Sequence, residues 1–401
     1  MPVMQVLARM ESTGVLLDVG RLERLAANCA ENINRLTKET YAIVGEQFNI
    51  NSAAQLQAIL FEKLSLPVLD RSKSGQPSTS EDVLNKIVND AKLKRTHAKG
   101  TSLAAAVLDY RRYTKLKSTW LDSLPRSTDP TDSRVRCTFN QATTSTGRLS
   151  SSSPNLQNIP ARTKEGREVR EAFVAPNGHK MLSADYSQIE LRIMANFSRD
   201  KSLVEAFREG KDVHKATASQ AAVTAEMRRR AKTINFGLIY GMSSFGLAAQ
   251  LGVKEPEARG MISRYFRQYP GVQAYMNRTL EEARKRGYVE TLLGRRIHVP
   301  GVNSPRLNVR KGAERLAINA PVQGSAVDLI KIAMVNIARR IQKDALSARL
   351  TMQVHDELIL EVADEALEEV KAVIKQEMER AMPELGIPLL VNIDIGRHWS
   401  H

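Results

Sequence analysis

The stretch QVHDELILEV, residues 353–362, sets three ionisable side chains inside a run that otherwise reads as sheet. Val354, Leu358, Ile359, Leu360 and Val362 are apolar, largely branched types that pack well on a pleated surface. His355, Asp356 and Glu357 interrupt them. If Val354 and Leu358 lie on two antiparallel strands, the triplet is a tight turn that lifts Asp356 to the sheet edge. Taken alone, the triplet reads by default as a solvated turn.

KMLSADYSQIELRIMANFS (180–198) supplies a second carboxylate of this kind. An apolar strand ends at Asp185, and Ser187 is placed to cap a helix through Ile189, Leu191, Ile193 and Met194. In isolation Asp185 reads as well as a turn residue, and Ser187-x-x-Glu190 is itself a capping box that would explain Glu190. Two aspartates held by rigid backbone at one sheet edge suit a shared pair of Mg²⁺ ions about 3.5–4 Å apart.

RRRAKTINFGLIYG (228–241) repeats every four residues: Arg228, Lys232, Phe236, Tyr240. Each step of four drifts only about 40° around an α-helix, so these side chains form one slowly winding stripe. Its basic end suits a triphosphate and its aromatic end a sugar and a stacked base. Gly237 and Gly241 each cost roughly 1 kcal/mol relative to Ala in a helix, which close approach of a ligand would explain. TTSTGRLSSSSPNLQNIPAR (143–162) reads as a Ser-rich linker, yet it carries Arg148, Asn155, Gln157, Asn158 and Arg162, groups that reach phosphates and groove edges. In ERLAINAPVQGSAVDL (314–329), Arg315, Asn319 and Gln323 again recur by fours. There the alternative is repair of backbone groups freed by Pro321.

The 401 residues exceed one ordinary core, so two or three domains or one multi-lobed body are expected. No apolar run nears the roughly 18 residues of a membrane helix, and the N-terminal residues lack a signal-peptide pattern. Cys29 and Cys137 are too few for a disulfide framework or a zinc site, which points to a reducing, intracellular setting. The net charge of +15 is uneven: residues 201–300 hold 18 Lys/Arg against 9 Asp/Glu, and residues 351–401 hold 4 against 11. A basic middle beside an acidic end suggests a polyanion track near a cation site. Periodicity predicts helices over 18–45, 52–64 and 101–122, with a capping box from Ser78 to Glu81. It predicts strands near 134–140, 169–175, 180–185 and 388–395. A long helix over 312–341 and one near 364–382 complete the reading. Strand signals flank a helical middle, so a sheet domain is split by a helical insertion.

In chain order, TGRLSSSSPNLQNIP, DYSQIELR, RRRAKTINFGLIYG and QVHDELILEV closely resemble the A-family DNA polymerases, the bacterial DNA polymerase I group. The resemblance runs through nearly the whole chain. It implies an α+β right-hand fold: a palm of antiparallel sheet plus helices, helical fingers and a helical thumb. By it, residues 1–17 are an N-terminal palm segment, 18–128 the thumb, 129–208 the first part of the palm, 209–307 the fingers and 308–401 the rest of the palm. It implies template-directed addition of deoxynucleotides to a primer 3′-hydroxyl by two-metal-ion phosphoryl transfer, with Mg²⁺ replaceable by Mn²⁺ and no proofreading exonuclease.

Asp185, Asp356 and the Tyr186 carbonyl are then the metal ligands, with Glu357 beside them. Lys232 joins the catalytic set. Gln188, Glu190, His214, Arg228, Lys232, Phe236 and Tyr240 hold the nucleotide, and Glu190 closes the pocket against a ribose 2′-hydroxyl through Tyr240. Tyr110, Arg111, Lys115, Arg148, Asn155, Gln157, Asn158, Arg162, Arg315, Asn319, Gln323 and His355 contact DNA. The resemblance implies primer-template DNA and deoxynucleoside triphosphates as partners, no membrane, a monomer, and an intracellular location in a bacterial nucleoid or an organelle. The segment between His214 and Arg228 is shorter than in typical bacterial relatives. A single-subunit RNA polymerase and an inactive DNA-binding scaffold are the rival readings. Glu190 opposes the first, and the retained Asp185, Asp356, Lys232 and Tyr240 oppose the second.

Overall fold

Leu182, Leu360 and Leu350 stand side by side across an antiparallel sheet, paired in register, with the first two fully buried. That sheet has four strands: β1 (His179–Tyr186), β2 (Ala348–Val354), β3 (Glu357–Ala363) and β4 (Val391–Gly396). Their spatial order is β4-β1-β3-β2. All seven residues of the central strand β3 are buried, which is why its sequence shows a near-continuous apolar run and no alternation. β2 and β3 form a hairpin whose turn is His355–Asp356, with His355 at φ 54°; Glu357 already belongs to β3.

The computed structural model describes residues 2–72, 74–161, 163–218 and 224–399. The chain divides into two units, one of residues 1–15, 136–158 and 174–400 and the other of residues 16–135 and 159–173. Arg162, and residues 219–223 of the short segment before Arg228, lie outside the described residues. Among the described residues no helix is long and apolar enough to cross a membrane.

In the first unit, eight helices among the described residues separate β1 from β2: Lys201–Arg208 and the seven labelled α1 (Ile189–Ser198), α2 (Val213–Ala218), α3 (Ala225–Ile239), α4 (Ser244–Leu251), α5 (Glu255–Gln268), α6 (Pro270–Arg286) and α7 (Leu307–Lys343). Thr224 caps α3 by accepting from the Met227 N–H at 3.2 Å. The 37-residue α7 runs through Pro321, whose carbonyl accepts from Ser325 Oγ at 2.6 Å. α8 (Leu367–Glu379) packs against β1, β3 and β4.

The second unit is mainly helical. Asp18 caps the helix Val19–Val44 through the Arg21 N–H at 2.8 Å. That helix packs against Ala98–Leu116, and Leu56, Leu60, Leu84, Ile87, Leu103 and Val107 fill the core nearby. Two local expectations fail. Residues 169–175 are not a strand: Thr163 accepts from the Gly166 N–H at 3.1 Å and starts the helix Lys164–Arg170, after which Phe173 and Val174 make isolated bridges to Leu17 and His398. The cap of Glu81–Asn89 is Ser80, accepting from the Val83 N–H, while Ser78 accepts from the Ser80 N–H one step earlier.

Truncating Leu360 to Ala leaves a hole between Leu182 and Leu350 and should cost about 2–5 kcal/mol. Urea unfolding followed by tryptophan fluorescence reads this. A loss below about 1 kcal/mol would mean that the leucine row is not packed as described.

Candidate active site

β1 ends at Asp185 and Tyr186, directly opposite the start of β3, where Asp185 pairs with Glu357. The Tyr186 N–H donates to the Asp356 carbonyl at 3.2 Å, tying the strand end to the hairpin turn. The Tyr186 side chain points inward, its hydroxyl donating to the Met378 carbonyl at 2.8 Å. Asp185 and Asp356 face each other within hydrogen-bond reach. Burial, then the neighbouring negative charges of Asp356 and Glu357, push the Asp185 carboxyl well above the usual carboxylate range. Burial also raises Asp356, against the pull of its own backbone amide and the Arg148 guanidinium. Burial and the closeness of the two carboxyls together favour a protonated form at Asp185. Glu357 is buried and accepts from Trp399 Nε1 at 3.0 Å. Among the described residues no group of three or more His, Cys, Asp or Glu side chains is gathered as a metal site. The available donors are two carboxylates and nearby main-chain oxygen.

Helix α1 follows after Gln188, which sits at φ 54°, ψ 39° with no side-chain capping bond and with Oε1 buried and unpartnered. The Ser187 to Glu190 capping box does not form. Instead the buried Glu190 accepts from Arg148 Nη2 at 2.7 Å and from the Tyr240 hydroxyl. Burial raises the Glu190 pKa, and the Tyr240 and Arg148 bonds oppose the rise. Tyr240 is fixed from behind, its carbonyl accepting from Asn319 Nδ2 at 3.2 Å. Asn319 therefore does not repair the Pro321 break.

The stripe exists. α3 carries Arg228, Lys232 and Phe236, and Tyr240 is its C-cap. Arg228 Nε donates to Asp212 at 2.7 Å, and Phe236 lies 5.7 Å from the His214 ring and 6.3 Å from the Tyr240 ring. Lys232 is exposed, with no hydrogen bond or ion pair among the described residues. The glycines do other work than expected. A Cβ on Gly237 would meet Met242 Sδ at 3.1 Å, and Gly241, at φ +67°, ends the helix against Arg315.

His214 requires a correction. It is 1% exposed, and Nδ1 accepts from Asn235 Nδ2 at 2.9 Å. Burial pushes its pKa down to about 4, so the ring is neutral and carries its hydrogen on Nε2. It packs behind Phe236 rather than in the open stripe.

Gln157 is corrected likewise. It is buried, and both amide hydrogens go to Gln353, one to its carbonyl at 3.0 Å and one to Oε1 at 3.1 Å, so it braces β2 instead of facing a groove. Asn155 is exposed but accepts from Ser151 Oγ and the Gln157 N–H, which makes it a turn brace as well. Asn158, Arg315 and His355 are exposed and Gln323 is half-buried. In the second unit, Lys115 is exposed, Tyr110 accepts from Asn51 Nδ2 at 3.2 Å, and Arg111 donates to the Thr79 carbonyl at 2.6 Å. Sequence reasoning missed Trp399, Asn235, Gln353 and Asp212. Only Asp212 left a signal, two residues before His214.

The model of DNA polymerase family A matches residues 19–401. The chain is 48% identical over 406 residues to DNA polymerase I of Pseudomonas aeruginosa, covering 100% of this chain and 43% of that protein. It is 48% identical over 405 residues to the thermostable DNA polymerase I of Thermus filiformis, covering 99% of this chain and 47% of that protein. It thus spans just under half the length of these curated relatives. A solved structure described as the POL domain of Pol1 from M. smegmatis in complex with DNA primer-template and dNTP superposes with a TM-score of 0.92 at 42% identity, over 99% of this chain and 69% of that one.

Tyr240→Phe removes a donor that favours ionised Glu190, so the Glu190 pKa should rise further. Carboxyl-carbon NMR titration reads the midpoint, and an unchanged value would show that the Tyr240 bond does not bear on Glu190.

Proposed function

Because the chain belongs to DNA polymerase family A, we propose that it is a DNA-dependent DNA polymerase, extending a primer 3′-hydroxyl with deoxynucleotides chosen by a template strand. The observation that carries this reading is the facing of Asp185 and Asp356 at one sheet edge. Two carboxyls crowded together and partly buried are poised to take a cation, and an all-oxygen donor set with the Tyr186 carbonyl suits Mg²⁺, or Mn²⁺ in its place. A bound pair of such ions would supply activation of the 3′-hydroxyl and neutralisation of the leaving pyrophosphate.

The chain's own residues do the rest. Lys232, exposed and unpaired, presents its ammonium to the triphosphate and can give a proton to the leaving group. Arg228 joins it by exchanging Asp212 for phosphate oxygen. Phe236 and Tyr240 offer ring faces to sugar and base, and Gln188 lines the approach. Glu190, held by Tyr240 and Arg148, sits where a ribose 2′-hydroxyl would intrude. Arg148, Arg315, Asn319 and Gln323 test minor-groove acceptors common to all base pairs, which lets the site judge pair shape without reading sequence. Asn158 and His355 reach the backbone beside them. In this reading the four-stranded sheet is palm, α2 to α6 are fingers, and residues 18–128 of the second unit are thumb, with Tyr110, Arg111 and Lys115 on the helix Ala98–Leu116 contacting DNA. The relative bound to primer-template and dNTP supports this choice of partners. A monomer working inside the cell completes the proposal.

Asp356→Ala should lower nucleotide addition by about a thousandfold or more and weaken Mn²⁺ binding, read by electron paramagnetic resonance, while primer-template affinity stays within a few fold. Near-normal turnover or unchanged Mn²⁺ binding would remove Asp356 from the metal set. Glu190→Ala should raise ribonucleotide use relative to deoxynucleotide by about tenfold or more in single-turnover extension. Unchanged discrimination would count against the gate.

A further inference from the structure

We propose that α3 has a second working side: a cavity, apart from the carboxylate centre, that binds a nucleoside 5′-phosphate. The cavity is about 590 Å³ and lies between α3, α5 and the end of α2. That volume falls inside the roughly 300–1,000 Å³ of small-molecule sites. Met227 and Ile234 reach it from α3, on a different face of the helix from Lys232 and Phe236.

Two features specify the ligand. Arg264 and Arg267, one turn apart on α5, line the cavity, and neither makes an ion pair among the described residues. Arg230 lines it too, shared with Glu226 at 3.1 Å. No acidic side chain lines the cavity among the described residues. Guanidinium groups gathered around a concave wall without counter-charge form a seat for phosphate oxygens.

Tyr265 also lines the cavity, but it is only 2% exposed and its hydroxyl is sealed in the core, so it acts as part of the wall. The remaining wall, Met227, Met261 and Ile234, is apolar, and thioethers make favourable contacts with ring edges. A bare phosphate would leave that wall facing water. A phosphate carrying a sugar and a planar ring covers both the basic and the apolar side. The site is independent of the polymerase reading, since none of its residues belongs to the carboxylate centre or the α3 stripe.

A free nucleotide and an unpaired nucleotide of a single DNA strand share this chemistry, and one experiment separates them. The intact chain, labelled at its methionine methyls, is titrated by NMR with dTMP, with a short oligo(dT) and with inorganic phosphate. The Met227 and Met261 resonances should shift saturably with a nucleotide-bearing ligand, and phosphate alone should bind more weakly. Preference for dTMP assigns the free nucleotide, and preference for oligo(dT) assigns the strand. The double variant Arg264→Ala/Arg267→Ala should weaken the effect about tenfold or more. Lys232→Ala should leave it intact. The proposal is overturned if neither ligand moves these resonances, if Lys232→Ala abolishes the shifts, if the double variant binds normally, or if phosphate alone binds as well as the nucleotides.

Discussion

Two like-charged side chains held together, partly removed from water, are the constraint around which the first unit is arranged. Left to themselves Asp185 and Asp356 would separate or stay protonated. The backbone prevents separation: the Tyr186 N–H holds the Asp356 carbonyl, and the left-handed His355 fixes the turn. Beneath them the sheet is anchored by the leucine row of β1, β3 and β2. Glu357 would add a third charge beside Asp185, but Trp399 binds one of its oxygens. Arg148 is the cation that lowers the Asp356 pKa, and its Nη2 is committed to Glu190. In the proposed function, the charge left uncompensated is what would draw a divalent ion to the pair.

Glu190 meets the same problem by another route. Being buried, it needs donors, and takes one from the 148 loop and one from the end of α3. The Asn319 bond to the Tyr240 carbonyl brings α7 into the same cluster. α3 is thus tethered at its C-terminal end by Tyr240 and near its N-terminal end by the Arg228 to Asp212 pair. An incoming polyanion can compete with Asp212 for Arg228, whereas the Tyr240 bond stays with Glu190. Lys232, between them, has no bond to surrender among the described residues. That ordering, a fixed aromatic end and an exchangeable cation beside Lys232, fits the phosphate-binding role proposed for the helix.

Much of this was legible in the sequence because it is local. The hairpin at 353–362, the strand ending at Asp185, the four-residue stripe and the helix through Pro321 each follow from periodicity within one segment. What was not legible depends on which residues fold opposite one another. Nothing near His214 announces Asn235, and nothing near Glu357 announces Trp399, forty-two positions away. The same blindness misassigned Gln157, whose polar side chain reads as a surface group until Gln353 is seen to enclose it. Residues 169–175 misled for a different reason: a capped, charged helix end followed by AFV mimics a short strand when only the apolar residues are weighed.

The two glycines of the stripe show how a correct residue choice can carry a wrong explanation. Read as thinning the helix for a ligand, Gly237 and Gly241 make room for the chain itself. Gly237 admits Met242, which folds back against α3, and Gly241 takes the left-handed conformation that ends the helix. The stop must fall there, because each further helical residue rotates a side chain by about 100°. Tyr240 is the last side chain before the turn, and its hydroxyl meets Glu190 while its carbonyl is left free for Asn319. Continued helix past Gly241 would have kept that carbonyl for its own hydrogen bonding. The glycine stop therefore sets where the aromatic end of the stripe meets Glu190, the acidic residue near the aspartate pair. Sugar discrimination, on this reading, depends on a helix terminus as much as on the carboxylate it positions.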